Sequence, residues 1–138
     1  MSKEFIETYE EIQRRNRRGV VSPARALALW RGFVRSCETG YDQPFADYFS
    51  DVRIRGSIEL ALRDPVLASL DGYARFRDAV HEMDDRFRRV ATVRLPFRNG
   101  PHRPPEDEWW SLVVPARAEE ELARFLQEEY GVAIEIVP

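Results

Sequence analysis

The pattern of apolar residues predicts a mostly helical α+β fold, with four or five helices and a small C-terminal strand–helix–strand unit. Three observations predict it. Apolar residues recur at steps of three and four over most of the first 90 positions. The stretch Pro96–Pro105 then breaks all periodicity with prolines and an Asn99-Gly100 pair. Finally, Val132 to Val137 alternates apolar side chains with Ala133 and Glu135. At 138 residues, 43% hydrophobic and 33% charged, the chain is expected to form one globular domain with its own core. We divide it into a helical part (1–95), a Pro-rich loop (96–108) and a strand–helix–strand tail (109–138).

The first helix is predicted from about Lys3 to Arg18, with Phe5, Tyr9 and Ile12 on one stripe and Ile6 beside them. Glu4 and Glu7 suit its positive end and the run Arg14 to Arg18 its negative end. Gly19 is expected to close it. Ser22-Pro23 supplies an N-cap and a first-turn proline for a second helix reaching about Glu38, its core stripe formed by Leu27, Trp30, Val34 and Cys37. The short connection makes the two an antiparallel hairpin. Phe45 to Ser50 is expected to form a helical turn, and Ile54, Ile58 and Leu62 a helix over about Asp51–Arg63. From Val66 to Val90 one stripe continues through Asp71-Gly72, which predicts a bent helix or two coaxial ones, facing either a bundle core or a second copy. Trp109 to Val114 is strand-favouring, Ala118 to Gly131 helical and Val132 to Val137 a strand. Pairing of those two strands across a helix would be parallel, and residues 91–97 offer a further strand.

Several function classes are excluded or left without support. One cysteine rules out a disulfide framework and a cysteine-based zinc site. No Gly-x-Ser-x-Gly elbow and no glycine-rich phosphate loop occurs. The first residues lack a secretory pattern, and the apolar run Ala26–Trp30 is far too short to span a membrane. With a lone cysteine, we expect a cytoplasmic protein that needs no membrane. Arginine outnumbers lysine twenty to one, a bias of GC-rich genomes that suggests a bacterial source.

Charge is segregated along the chain. Residues 1–11 carry a net −3, residues 12–37 carry +7 with no acid, residues 38–105 balance, and residues 106–138 carry −7. The total of −3 conceals these poles. Arg14 and Arg18 share a helix face, as do Arg31 and Arg35. Either the arginines pair internally with Glu119–Glu121, Glu128 and Glu129, or they face an acidic partner or a polyanion.

The remaining polar clusters invite a bland reading first. His81-Glu82-Met83-Asp84-Asp85 lacks the second histidine of a zinc-protease motif, and Arg77, His81, Asp84 and Arg88 read as a salt-bridged helix face. Tyr41, Asp47, Tyr48, Asp51 and Arg55 surround the start of the third helix and are the residues from which a small polar pocket would be built. Cys37 lies on an apolar stripe and reads as a buried small hydrophobe; His102 reads as a solvent-facing loop residue. We expect no catalytic residue, metal site or cofactor.

For Trp109-Trp110, strand geometry would send one indole inwards and the other to a surface, where tryptophan is a frequent interface anchor. The expectation is therefore a non-catalytic, protein-binding accessory, regulatory or immunity-type inhibitor protein, its partner an acidic protein. Its surface would combine Arg14, Arg15, Arg17, Arg18, Arg31 and Arg35 with Trp109 or Trp110. The alternatives are a nucleic-acid-associated protein using the basic segment 12–37, and a small enzyme with an unfamiliar polar pocket. A homodimer through the long stripe is left open.

Overall fold

A computed structural model describes residues 1–97 and 103–138. The expectation for His102 lies outside the described residues, as does the middle of the proline-rich stretch. Five helices of nine residues or more, two single helical turns and four two-residue strands make up the described architecture, a mostly helical α+β fold.

Helix α1 (Lys3–Arg15) begins on Ser2, whose Oγ accepts from the Phe5 N–H at 3.2 Å. It ends three residues sooner than its arginine run predicts. Arg17 adopts φ +57°, its N–H bonds to the Arg14 carbonyl, and the Arg18 N–H bonds to the Gln13 carbonyl at 2.8 Å. This is the closing turn in which a left-handed glycine is usual. Arg17 fills that place, and Gly19 lies beyond it. Helix α2 (Pro23–Glu38) starts on the Ser22 cap and on Pro23 as expected. At its far end Gly40 has φ +95°, and a Cβ there would stand 2.6 Å from Val137 Cγ2. The C-terminal strand therefore seats on the end of α2 because position 40 carries no side chain.

A 3₁₀ turn (Phe45–Asp47) leads into α3 (Tyr48–Asp51) and α4 (Ile54–Leu62). Asp51 does not cap α4; its Oδ2 accepts from the Tyr41 hydroxyl at 2.9 Å. The long stripe is not one helix. Asp64 caps the single turn α5 (Pro65–Ala68), Gly72 turns the chain at φ +91°, and α6 (Tyr73–Val90) follows. That turn shifts the register: Leu67 is buried, and Val66, predicted on the core stripe, is 60% exposed.

The tail holds the predicted strand–helix–strand unit with a different first strand. Arg117–Ala118 (β3) pairs in parallel with Glu135–Ile136 (β4), and α7 (Glu120–Tyr130) crosses between them. Trp109–Ser111 is a 3₁₀ turn rather than a strand. Val113–Val114 (β2) pairs antiparallel with Val93–Arg94 (β1), so the extra strand foreseen in residues 91–97 belongs to a separate ribbon.

Buried side chains from Phe5 to Ile134 form one cluster. At its centre the Phe33 ring lies 5.2–5.8 Å from the rings of Trp30, Tyr41, Tyr48 and Phe87, which ties α2 to α6 and to the α3 turn. Among the described residues no helix is long and apolar enough to cross a membrane.

Candidate functional site

The arginines of residues 12–37 do not share one fate. Arg14 pairs with Glu11 at 2.6 Å, and Arg15 reaches Asp64 at 3.1 Å. The acidic tail turns elsewhere: Glu120 pairs with Arg124, and Glu135 with Arg117. Among the described residues, no ion pair joins the tail to the hairpin, so the opposite poles are not neutralised against one another. Arg17, Arg18, Arg25, Arg31 and Arg35 have no carboxylate within ion-pair distance among the described residues.

Two of these five line a groove of about 740 Å³ together with Arg53. Its walls come from three places in the chain. The α1–α2 connection contributes Arg17, Arg18 and Val21; α2 contributes Ala28, Leu29, Gly32 and Ser36; the α3–α4 segment contributes Ser50, Asp51, Arg53, Ile54 and Ser57. The side of α2 opposite its core stripe is small and apolar here, which leaves Leu29 37% exposed. Arg53 is the last residue before α4, and its exposed side chain extends the basic rim. Guanidinium groups are weakly hydrated and planar, so such a rim suits carboxylate or phosphoryl oxygens presented beside apolar surface. Asp51 also lines the groove, held by the Tyr41 hydroxyl.

Arg31 and Arg35, predicted to join the basic surface, lie on α2 outside the residues that line this groove, and Arg14 and Arg15 are engaged with their own acids. The tryptophans also depart from expectation. Trp110 is 2% exposed, with the Arg55 guanidinium 4.8 Å from its ring centre. Trp109 is half-buried against Phe87, and Arg88 covers its ring at 3.8 Å. On this 3₁₀ turn Trp110 enters the core and Trp109 stays at its edge under Arg88. Trp110 is therefore a core residue and not an exposed anchor.

The polar pocket foreseen around the third helix is not assembled. Tyr41 and Tyr48 are buried in the aromatic centre, and Asp47 faces solvent. Burial, reinforced by Asp51, raises the Tyr41 hydroxyl far above its ordinary value. Arg55 points the other way, into the core. Its Nε and Nη2 each donate to Asp84 at 2.8 Å, its Nη1 donates to Glu59 at 2.9 Å, and the Trp30 Nε1–H donates to Asp84 at 3.0 Å. Burial alone would lower this guanidinium, but Asp84 and Glu59 outweigh it and hold it above its ordinary value. Asp84, read from sequence as part of a surface face with Arg77, His81 and Arg88, is 1% exposed and belongs to this network.

Cys37 is 3% exposed, and burial pushes its thiol well above the usual range, with Glu38 and Asp51 adding to the effect. Among the described residues, no three histidine, cysteine or carboxylate side chains are placed to share a metal ion. Arg53, like Ser57 and the aliphatic wall of Val21, Leu29 and Ile54, is not among the residues predicted for the partner-binding surface. Arg53 lies 35 positions from Arg18 and carries no local signature of a shared site. The chain matches no family model, no curated protein and no solved structure.

Proposed function

We propose that this chain is a non-catalytic binding protein of the accessory, regulatory or inhibitor kind, and that its groove receives an acidic, partly apolar segment of a partner protein. One observation carries the reading: Arg17, Arg18 and Arg53 line a groove with Val21, Leu29 and Ile54 while having no ion-pair partner among the described residues. Charge complementarity at such a surface speeds encounter and sets orientation, and the aliphatic wall supplies an anchor for a neighbouring apolar side chain. Arg25, Arg31 and Arg35 would extend the attracting field without touching the anchor.

The test is titration calorimetry with synthetic 15-residue peptides that alternate glutamates with leucines at helical spacing. Binding should weaken with rising salt and fall about tenfold or more in Arg18→Gln and Arg53→Gln. Arg14→Gln, whose partner is Glu11, should leave it unchanged. Failure of every such peptide, together with salt-sensitive binding of random DNA, would favour the nucleic-acid reading instead.

A further inference from the structure

One wall of the groove is the surface of α4. Arg18 lies down on α4: a Cβ added to Gly56 would stand 3.7 Å from both terminal guanidinium nitrogens and 3.8 Å from Cζ2 of Trp110. The guanidinium thus lies over the helix surface at Gly56, and its residue is half-buried. Among the described residues its side chain has no hydrogen-bond acceptor, and Arg53 at the start of the same helix has none either. Ser57 lines the groove one turn further along α4 and is 9% exposed. Its carbonyl is occupied by Gln13 Nε2 at 2.8 Å.

Most of the backbone N–H groups at the start of α4 are already taken. The N–H groups of Arg55, Gly56 and Ser57 are already bonded to the carbonyls of Val52 and Arg53. Beside α4 the groove is lined by the side chains of Arg18, Arg53 and Ser57, and Arg17 lines it from the α1–α2 connection. A carboxylate has two oxygens and one charge, enough for a single guanidinium fork. A phosphoryl group brings three oxygens and nearly two charges, which two forks and a hydroxyl match. Asp51 is the acid on this rim, and its Oδ2 is turned to Tyr41.

We infer that Arg18, Arg53 and Ser57 form a subsite for a phosphoryl dianion, and that the acidic segment received by the groove is a phosphorylated one. The second half rests on the docking reading above; the first half does not. A nucleic-acid backbone carries the same chemistry but fits this surface less well. The accessible wall is aliphatic (Val21, Ala28, Leu29, Ile54), with no exposed aromatic platform for bases, and the chain carries a net −3.

The experiment follows the arginine Nε–Hε resonances by NMR while inorganic phosphate, then acetate, is added at constant ionic strength. Phosphate should give saturable shifts confined to Arg18 and Arg53, with acetate about tenfold weaker or worse. Arg18→Gln should abolish the phosphate response, and Arg18→Lys, which keeps the charge but loses the fork, should weaken it severalfold. An otherwise unchanged amide spectrum shows that each variant is folded. No saturable shift, an equal response to acetate, or shifts shared with Arg25, Arg31 and Arg35 would overturn the subsite.

A glutamate-flanked phosphoserine peptide, its unphosphorylated twin and a single-stranded oligonucleotide form the second arm. Tightest binding by the phosphopeptide supports the full inference. Phosphate binding with no gain from the phosphoserine, or with the oligonucleotide tightest, overturns its second half. Failure of both peptides while phosphate still binds rejects the docking reading and leaves the subsite standing.

Discussion

Arg55 on α4 and Asp84 on α6 form a bidentate ion pair in the interior, with Nε and Nη2 each 2.8 Å from a carboxylate oxygen and both side chains 2% exposed. Trp30 of α2 donates to the same carboxylate, so three helices meet at one buried charge pair. Removing Asp84 leaves Arg55 with Glu59 alone, bonded only at Nη1, and breaking a buried pair costs up to about 3–5 kcal/mol. Asp84→Ala is therefore expected to lower stability by that order in chemical denaturation. The paired change Arg55→Met with Asp84→Leu should restore much of the loss, because it leaves no buried charge alone.

Arg17 sits at φ +57° in the closing turn of α1, a conformation that disfavours an L side chain by about 1–2 kcal/mol. Glycine relieves that strain and gives back part of the gain as unfolded-chain entropy. Arg17→Gly should therefore raise the denaturation midpoint by a few degrees, equivalent to about 1 kcal/mol. The same variant should bind acidic peptides more weakly, since it removes one cation from the groove. Thermal unfolding and calorimetry on one sample would separate the two effects.

Asp64 should leave a mark on the acid limb of stability. Its carboxyl is held below the ordinary range by the Leu67 N–H first, and then by Arg15 and the Val66 N–H. A carboxylate lowered in this way contributes stability that is complete above the unfolded aspartate value of about pH 4 and fades as pH falls through the folded value. Asp64→Asn keeps a capping oxygen but loses the charge. The variant should be less stable than the parent at pH 7 by under about 1 kcal/mol and indistinguishable from it below about pH 2. Urea titrations at the two pH values check this.

Cys37 should behave as an inert interior thiol. It is 3% exposed and raised by burial, so little thiolate forms in the folded protein near neutral pH. An aromatic disulfide reagent at pH 8 should label it only at the rate of global opening, and promptly in denaturant. Fast labelling of the folded protein would show that the α2–α6 packing above it opens locally.

What the sequence disclosed followed the reach of each signal. Ser22-Pro23, Gly131 and the stripes of α1 and α2 are local signals, and the corresponding helix ends and faces lie close to where they predict. Local rules gave the wrong answer where tertiary packing overrode them. Arg17 rather than Gly19 closes α1, Gly72 breaks a stripe that looked continuous, and Trp109-Trp110 sits on a 3₁₀ turn instead of a strand. Charge counting located the basic hairpin but not its partners. Arg55 and Asp84 are 29 positions apart, and nothing in either neighbourhood distinguishes a buried pair from two surface charges. The groove was out of reach for the same reason, since Arg18 and Arg53 come to line one groove only once α4 packs beside the α1–α2 connection.

The central claim is that the unneutralised arginine groove receives an acidic protein segment. A photo-crosslinking residue placed at Leu29, on the groove wall, and another at the exposed Val66, away from it, test this most directly. In extracts of the source cells, position 29 should crosslink one protein through a peptide carrying carboxylate or phosphoryl groups beside apolar side chains. The adduct should vanish when Arg18 and Arg53 are both replaced by glutamine. An adduct with nucleic acid, or a pattern at position 29 identical to that at position 66, would contradict the account.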